Sequence, residues 1–287
     1  MSNLINEVCS TSGTTKNMGG KDQCLEAPVK TFFLAKDGFA FASLAAMKLE
    51  ANWNTAIAAK NIIPLPNIEG LELANTEASI KEGRYKDYEL KEAVAGVKYR
   101  LDLSMCSYEA LKSYKNSEYK RVFEVTNEDE VTGDVQADDT IKGRKISSFI
   151  IGVRNQATDE DVPYVDVSLK FEKDTYSVIK PSFELSDKEG IFDVGFALVS
   201  ATSTEIKVTA TTDCSNSLVN NFTSGDLTVL DAAGAAQSLT STSVADASGV
   251  YTIVGTGFAT GFTVGLNGVV VQAGINYESP DRLAITV

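Results

Sequence analysis

Residues 164–171 read Tyr-Val-Asp-Val-Ser-Leu-Lys-Phe, with an apolar side chain at every second position from Val165 onward. An alternation with a period of two is typical of a β-strand that buries one face and exposes the other. The same alternation occurs at residues 97–103 (VKYRLDL), and residues 121–125 (RVFEV) and 146–152 (ISSFIIG) also read as strands. The chain is therefore expected to be α+β and mainly β, with strands that form a sandwich.

Helical spacing is confined to two segments. After a strand at residues 31–35 (TFFLA), Ser43 is expected to cap a helix that runs to about Lys60. The apolar stripe of this helix consists of Ala46, Leu49, Trp53 and Ile57. That stripe can pack on the chain's own sheet or on a partner. Ser107 is expected to cap a shorter helix through Tyr114.

Three regions follow from length and composition. Residues 1–28 are polar and lack a hydrophobic period, which predicts an extended N-terminal arm. Residues 29–197 form the first domain and residues 198–287 the second, which is rich in Ser, Thr, Ala and Gly and holds seven acidic and two basic residues. The second domain has the short strands and frequent turns of an immunoglobulin-like sandwich. Its predicted strands are residues 205–211, 227–230, 250–254, 262–266, 269–272 and 283–287.

The charge and the missing histidine restrict the function. The net charge is −13, from 39 acidic and 26 basic residues, and such a surface does not bind phosphates. It suits either of two other roles, keeping the protein soluble or letting a polyanion pass without binding. No histidine is present, which removes the usual general base and the commonest metal ligand. We therefore expect no enzyme, no catalytic residues, no metal and no cofactor. A carboxylate-dependent glycan hydrolase is kept as a third reading.

The remaining charge clusters are expected to be structural. The acidic loops at residues 126–139 and 159–161 lack the spacing of a calcium loop, which favours solvated loops. Two basic groups are expected to be solvated or to form salt bridges between subunits: Lys112, Lys115, Lys120 and Arg121, and then Lys142, Arg144 and Lys145. The glycines at residues 255–261 (GTGFATG) fail as a dinucleotide fingerprint, because the third is one place late and no helix follows.

Cysteines and targeting signals point to no zinc site and no membrane. For Cys9 and Cys24, a disulfide and free thiols are both compatible with the sequence, whereas Cys106 is expected to be a small core residue. The N-terminus has neither the basic nor the apolar region of a secretory signal, and no stretch is apolar enough to span a membrane. The sequon at Asn221 is therefore expected to be an ordinary loop.

The first domain resembles virion proteins of phages that infect Bacteroides-type gut bacteria, including crAss-like phages. The resemblance is carried by residues 39–46 (FAFASLAA) with 58–66 (AAKNIIPLP), and then by residues 96–103 (GVKYRLDL), 111–114 (LKSY) and 141–146 (IKGRKI). It covers about residues 30–180 and is a pattern of elements more than a single motif.

This resemblance implies a tail-tube, tail-hub or neck-ring subunit. The implied fold is a tail-tube-like β-sandwich with residues 43–60 as a flanking helix and the loop 126–142 reaching an adjacent subunit or the lumen. The implied partners are copies of the chain in a ring of six or twelve and the neighbouring tail or portal proteins, with DNA passing through an acidic channel. The implied location is the virion, after synthesis in the host cytoplasm.

Residues 251–268 (YTIVGTGFATGFTVGLNG) are similar to immunoglobulin-like domains of the IPT/TIG kind. In a virion, such a domain would decorate the outside of the ring. The alternative function is a decoration protein or adhesin that binds host-surface glycans through this domain.

Overall fold

A computed structural model of the chain describes residues 27–81, 88–158, 161–173, 175–185, 188, 190–243, 245–246, 248–272 and 275–287. Strands account for 45% and helices for 9%, which confirms the predicted mainly β class. The chain divides into unit 1, Met1–Asp187, and unit 2, Lys188–Val287, so the division precedes the change of composition near residue 198. Except for Ala27 and Pro28, the expected N-terminal arm lies outside the described residues.

Unit 1 contains twelve strands and three helices in its described part. The strands are β1 (Val29–Lys36), β2 (Ile62–Pro64), β3 (Gly70–Leu73), β4 (Ser79–Lys81), β5 (Tyr88–Lys91), β6 (Gly96–Asp102), β7 (Tyr119–Thr126), β8 (Val131–Val135), β9 (Ile141–Lys142), β10 (Arg144–Ile151), β11 (Tyr164–Phe171) and β12 (Ser177–Ile179). The helices are α1 (Leu44–Met47), α2 (Glu50–Ala58) and α3 (Met105–Ser113).

Two antiparallel sheets share β10. In sheet 1, β7 pairs with β1 along one edge and with β8 and the start of β10 along the other, while β2, β9 and β12 flank them. Sheet 2 has the order β10-β11-β6-β3. Strands β4 and β5 form a separate hairpin. Every second residue of β11 is buried, as its alternation predicts.

Sheet 1 is covered on both faces, which explains why residues 32–35 of β1 are apolar without interruption. The ring of Phe32 stacks on Tyr99 of sheet 2, with ring centroids 4.6 Å apart. The next residue, Phe33, points to the opposite face and meets Trp53 of α2 edge-on at 5.8 Å. Successive side chains of a strand alternate between faces, so a strand between two apolar layers needs apolar residues throughout. Unit 1 is thus a sandwich with a helical layer. The helix packs on the chain's own sheet, which is one of the two arrangements expected from the sequence, the other being packing on a partner.

The predicted single helix from Ser43 to Lys60 is wrong, because α1 and α2 are separate. Ser43 does cap α1, accepting a hydrogen bond from the Ala46 amide at 3.1 Å. The backbone is extended at Leu49, and this residue is exposed although it belongs to the predicted stripe. The Trp53 indole donates a hydrogen bond to the Met47 carbonyl at 2.6 Å, which satisfies the last turn of α1 at the break.

Helix α3 begins earlier than the sequence predicts. Ser104, and not Ser107, is its N-cap: the Ser104 backbone is extended and its hydroxyl accepts a hydrogen bond from the Ser107 amide at 3.1 Å. Both serines satisfy the sequence preference for a cap, and only the backbone conformation distinguishes them.

The prediction of a long loop at residues 126–142 is also wrong. It contains β8 and β9, and its apolar residues Val131, Val135 and Ile141 are buried in unit 1. The acidic residues between them dominate the composition and conceal the short apolar alternation. This segment therefore folds onto its own sheet and does not form a long reach toward a neighbour.

Unit 2 contains nine strands in its described part. They are β13 (Ile191–Ala201), β14 (Glu205–Thr212), β15 (Leu227–Leu230), β16 (Leu239–Thr242), β17 (Val250–Gly255), β18 (Thr263–Leu266), β19 (Val270–Gln272), β20 (Ile275–Glu278) and β21 (Leu283–Ala284). They form one sheet in the order β16-β17-β14-β13-β20-β19 and another in the order β15-β18-β21, around a common core. The sequence analysis missed β13, β16 and β20, which mix polar and apolar residues without a clean period.

Hydrogen bonds from two polar side chains stabilise the core of unit 2. The Tyr251 hydroxyl donates to the Val219 carbonyl at 2.6 Å and accepts from the Phe222 amide at 3.2 Å. The Arg282 guanidinium donates to the carbonyls of Thr228 and Leu266, at 2.7 and 3.2 Å, and so bridges two strands. Its burial lowers the pKa of Arg282.

Candidate functional site

The most unusual surface is the free edge of sheet 2. Among the described residues, β3 pairs on one side only, with β6. The pairing continues beyond β3: Ala74 donates to the Gly96 carbonyl at 2.8 Å, and Thr76 and Val94 exchange two backbone hydrogen bonds at 2.9 and 3.1 Å. We call residues 70–76 the open edge.

The backbone groups of the open edge alternate in direction. In an antiparallel ladder, residues that bond to the neighbouring strand alternate with residues whose N–H and C=O groups point the other way. Because Ala74 and Thr76 bond toward β6, the backbone groups of Leu71, Leu73 and Asn75 point away from it. The Asn75 side chain turns back and accepts a hydrogen bond from the Gly96 amide at 3.0 Å. A row of backbone donors and acceptors therefore lies along the free side.

Two leucines of the open edge lie on the face of sheet 2 that packs against sheet 1, but their side chains are exposed to solvent. Leu71 lies opposite Tyr99 and Leu73 opposite Val97, and residues directly opposite each other point to the same face. Tyr99 is 0% exposed and Val97 8%, whereas Leu71 is 45% and Leu73 69% exposed. The apolar layer between the sheets thus continues into solvent at this edge. Unpaired edges with exposed apolar side chains are the surfaces that pair with further strands.

The outer face beside the open edge is charged and nearly balanced. Lys98 pairs with Asp166 at 3.0 Å and with Glu72 at 3.6 Å, and the hydrogen bond with Asp166 is the main cause that raises the pKa of Lys98. The Arg100 guanidinium stacks 3.8 Å above the Tyr164 ring. Glu72, Lys98, Arg100 and Asp166 line a hollow of about 170 Å³ together with Gly70 and Leu71.

A buried polar network joins the two sheets of unit 1. The Glu124 carboxylate, on a residue that is 3% exposed, accepts hydrogen bonds from the Tyr99 hydroxyl, from Thr132 at 3.3 Å and from Arg144 at 2.5 Å. Burial and then the nearby Glu124 charge raise the pKa of Tyr99 well above its ordinary value. The Arg144 guanidinium lies between the rings of Phe171 and Tyr176, at 3.6 and 4.2 Å. The one sequence signal for this network is a glutamate inside the apolar stretch 121–125.

A cavity of about 150 Å³ beside this network is polar but electrically balanced. It is lined in part by Arg121, Arg144, Lys145 and Lys173. Each of these cations pairs with a carboxylate: Asp37 at 2.9 Å, Glu124 at 2.5 Å, Glu172 at 3.1 Å and Asp134 at 3.9 Å, respectively. Of the basic residues expected to be solvated or to bridge subunits, Arg121 and Arg144 are buried and pair within the chain, whereas the Lys145 side chain pairs with Glu172 and is still 40% exposed.

The acidic loops contribute structure. Asp138 accepts hydrogen bonds from the hydroxyl and amide of Thr140, and these bonds lower the pKa of Asp138. Glu130 is 2% exposed and accepts a hydrogen bond from the Ala27 amide at 3.1 Å. Asp161 pairs with Arg100 at 3.5 Å, whereas residues 159 and 160 lie outside the described residues. In the part of the chain that the structure describes, no group of three or more potential ligands could hold a metal ion.

The cysteines differ from the sequence-based expectation. Cys106 lies in the first turn of α3, is exposed and is disulfide-bonded, so it is not a small core residue. Cys214 is also exposed and disulfide-bonded. Cys9 and Cys24 lie outside the described residues, and the prediction for this pair stays open.

The glycine-rich stretch of unit 2 is a turn that follows β17. A Cβ atom on Gly255 would lie 2.6 Å from the ring of Phe258, so glycine here makes room for a core side chain. Gly257 and Gly261 have positive φ angles of 77° and 94°. The strand β18 follows, and not a helix, in agreement with the rejection of a dinucleotide motif. Asn221 is exposed in a loop, as expected.

No family model and no curated protein matches the chain. No helix among the described segments has the length and apolar character needed to cross a membrane.

Proposed function

We propose that the chain is a structural protein that assembles with copies of itself, and that the assembly is a ring or tube in the tail or neck of a bacteriophage. The open edge is the observation that carries self-assembly. It combines unpaired backbone groups with Leu71 and Leu73, which continue the core face and yet are 45% and 69% exposed. Covering apolar side chains and pairing a strand edge both favour association.

The layered β fold of unit 1 supports the same proposal. Covered on both faces, sheet 1 is held by Trp53 and Tyr99 from opposite sides, which provides a rigid body for repeated contacts. The virion and the passage of DNA come from the resemblance of residues 30–180 and from the net charge of −13. Residues 126–142 fold onto their own sheet, so the contact proposed with a neighbouring copy is the open edge and not this segment.

The test is the oligomeric state of the purified full-length chain. Light scattering after size-exclusion chromatography should give a multiple of the 30.7 kDa chain mass, and negative-stain images should show closed rings or short tubes. Peptides of the chain should also be found in purified phage particles. A species of 30.7 kDa at every concentration, absent from particles, would overturn the proposal.

A further inference from the structure

We propose that the open edge pairs antiparallel with the open edge of a second copy about a two-fold axis at Leu73. This inference rests on the proposed function and identifies the contact through which two copies meet. Leu73 of one copy lies opposite Leu73 of the other, and Leu71 lies opposite Asn75 of the other.

The direction of the backbone groups limits the register. Only Leu71, Leu73 and Asn75 of the open edge point their N–H and C=O groups outward, as the bonds of Ala74 and Thr76 toward β6 require. A two-fold axis at Leu73 brings these three residues opposite one another in hydrogen-bonded pairs. Every outward backbone group of the three then has a partner, and no group of the ladder between β3 and β6 is disturbed.

Charge excludes the neighbouring register. A two-fold axis at Glu72 would place the Glu72 side chains of both copies directly opposite each other, and like charges in that position are destabilising. With the axis at Leu73, Glu72 lies opposite Ala74 of the second copy. It keeps its pairing with Lys98 at 3.6 Å.

A third register uses fewer backbone groups. A two-fold axis at Leu71 would place Leu73 opposite Glu69, whose amide already donates to the Arg100 carbonyl at 2.9 Å. It would also leave Asn75 beyond the paired region. Of these three registers, the axis at Leu73 is the one that combines complete pairing with no opposition of like charges, and it also brings together the most exposed described leucine, Leu73, of both copies.

The apolar side chains fit the same arrangement. Leu73, the most exposed leucine of the chain's described part at 69%, would contact Leu73 of the second copy on the face shared with Val97. The layer between sheets 1 and 2 then continues from one copy to the next. Because a two-fold contact is self-complementary, the number of copies must be even, and twelve copies would form two six-membered rings back to back.

A charge-swap experiment tests the axis. Leu73→Lys and Leu73→Glu should each weaken the association of full-length protein about tenfold or more, because like charges meet at the axis, and an equal mixture of the two should recover most of it. Leu49→Lys and Leu49→Glu are the matched controls, since Leu49 is 58% exposed and lies at the helix break away from the open edge. Far-UV circular dichroism and Trp53 fluorescence should be unchanged in all four variants.

The outcomes separate the inference from the proposed function. If the wild-type protein forms rings and both Leu73 variants do so equally well, the open edge is not the contact, while self-assembly stands. If each variant dissociates but the mixture does not recover, the two-fold axis at Leu73 is wrong. If the wild-type protein is monomeric throughout, the proposed function fails together with the inference.

Discussion

The Tyr99 hydroxyl on β6 donates a hydrogen bond to the Glu124 carboxylate on β7, and this bond crosses the interior between the two sheets of unit 1. The same carboxylate is paired with Arg144, so a charge buried in an apolar layer is compensated by a cation and two hydroxyl donors. Such a network allows only arrangements of the two sheets that keep all its members in contact.

Removal of the cation should therefore be costly. We expect Arg144→Met to lower the free energy of unfolding by about 3–5 kcal/mol, because Glu124 would remain buried without its partner. The control is Arg100→Met, whose ion pair with Asp161 is exposed and should contribute less than about 1 kcal/mol. Urea denaturation followed by Trp53 fluorescence measures both. Equal losses in the two variants would show that the buried pair does not hold the sheets.

The aromatic cluster under α2 gives a second prediction. Trp53 is fully buried among Phe33, Phe41 and Phe123, with ring centroids 4.8 to 5.8 Å away. Trp53→Ala should lower the stability of unit 1 by about 3–5 kcal/mol through the cavity it leaves. Leu49→Ala, at the exposed break between α1 and α2, should change it by less than about 0.5 kcal/mol. Far-UV circular dichroism during denaturation is the measurement, since Trp53→Ala removes the only tryptophan. A large loss in Leu49→Ala would instead support the continuous stripe expected from the sequence.

The positions of the five longest strands in the described part of unit 1, β1, β6, β7, β10 and β11, could be predicted because apolar runs and alternation are local properties. β11 has the period and burial that its own residues indicate, whereas β7 is buried continuously from Arg121 to Thr126 because it lies inside sheet 1. The break at Leu49 was not predictable from the spacing of apolar residues, since it depends on the backbone conformation there and on the Trp53 indole bond to Met47. The spacing of apolar residues in the sequence gives no information on that backbone conformation or on that hydrogen bond.

The candidate site shows the same limit. The acidic, alternating sequence of residues 71–78 indicates either a loop or an edge strand, and the structure places β3 at an edge. That Leu71 and Leu73 lie on the core face follows only from their pairing with Tyr99 and Val97, in a strand more than twenty residues away. The role of Glu124 likewise depends on Arg144, which is twenty residues farther along the chain. Contacts of this range are set by the register of the sheets and not by the local pattern.

Gly96 determines how closely the open edge approaches β6. A Cβ atom on Gly96 would lie 2.6 Å from the Ala74 carbonyl oxygen, which is backbone and cannot move aside alone. Gly96→Ala should therefore destabilise unit 1 by about 1–3 kcal/mol. In Gly38→Ala, the new methyl group meets nothing within 4 Å, so its effect should be neutral or slightly stabilising. Denaturation midpoints compare the two variants, and a neutral Gly96→Ala would mean that the approach of Ala74 is not tight.

Ionisation of Tyr251 should lower the free energy of unfolding of unit 2 at alkaline pH. Burial raises the pKa of Tyr251 above its ordinary value of 10.0, and that of Tyr277 in the same way. A group whose pKa is raised by folding stabilises the folded state fully below its unfolded pKa and loses this contribution as the pH rises through the folded pKa. The free energy of unfolding should therefore be level near neutral pH and fall above the ordinary tyrosine pKa.

Tyr251→Phe isolates this contribution. The variant loses the hydroxyl bonds to Val219 and Phe222, so it should be less stable by about 1–2 kcal/mol at neutral pH. Its disadvantage should shrink as the wild-type phenol ionises at high pH, because a phenolate cannot donate to the Val219 carbonyl. Tyr119→Phe, which removes an exposed hydrogen bond to Lys60, is the control and should cost less at neutral pH. Circular dichroism across the pH range measures all three proteins, and a gap between wild type and Tyr251→Phe that widens with pH would contradict the assignment.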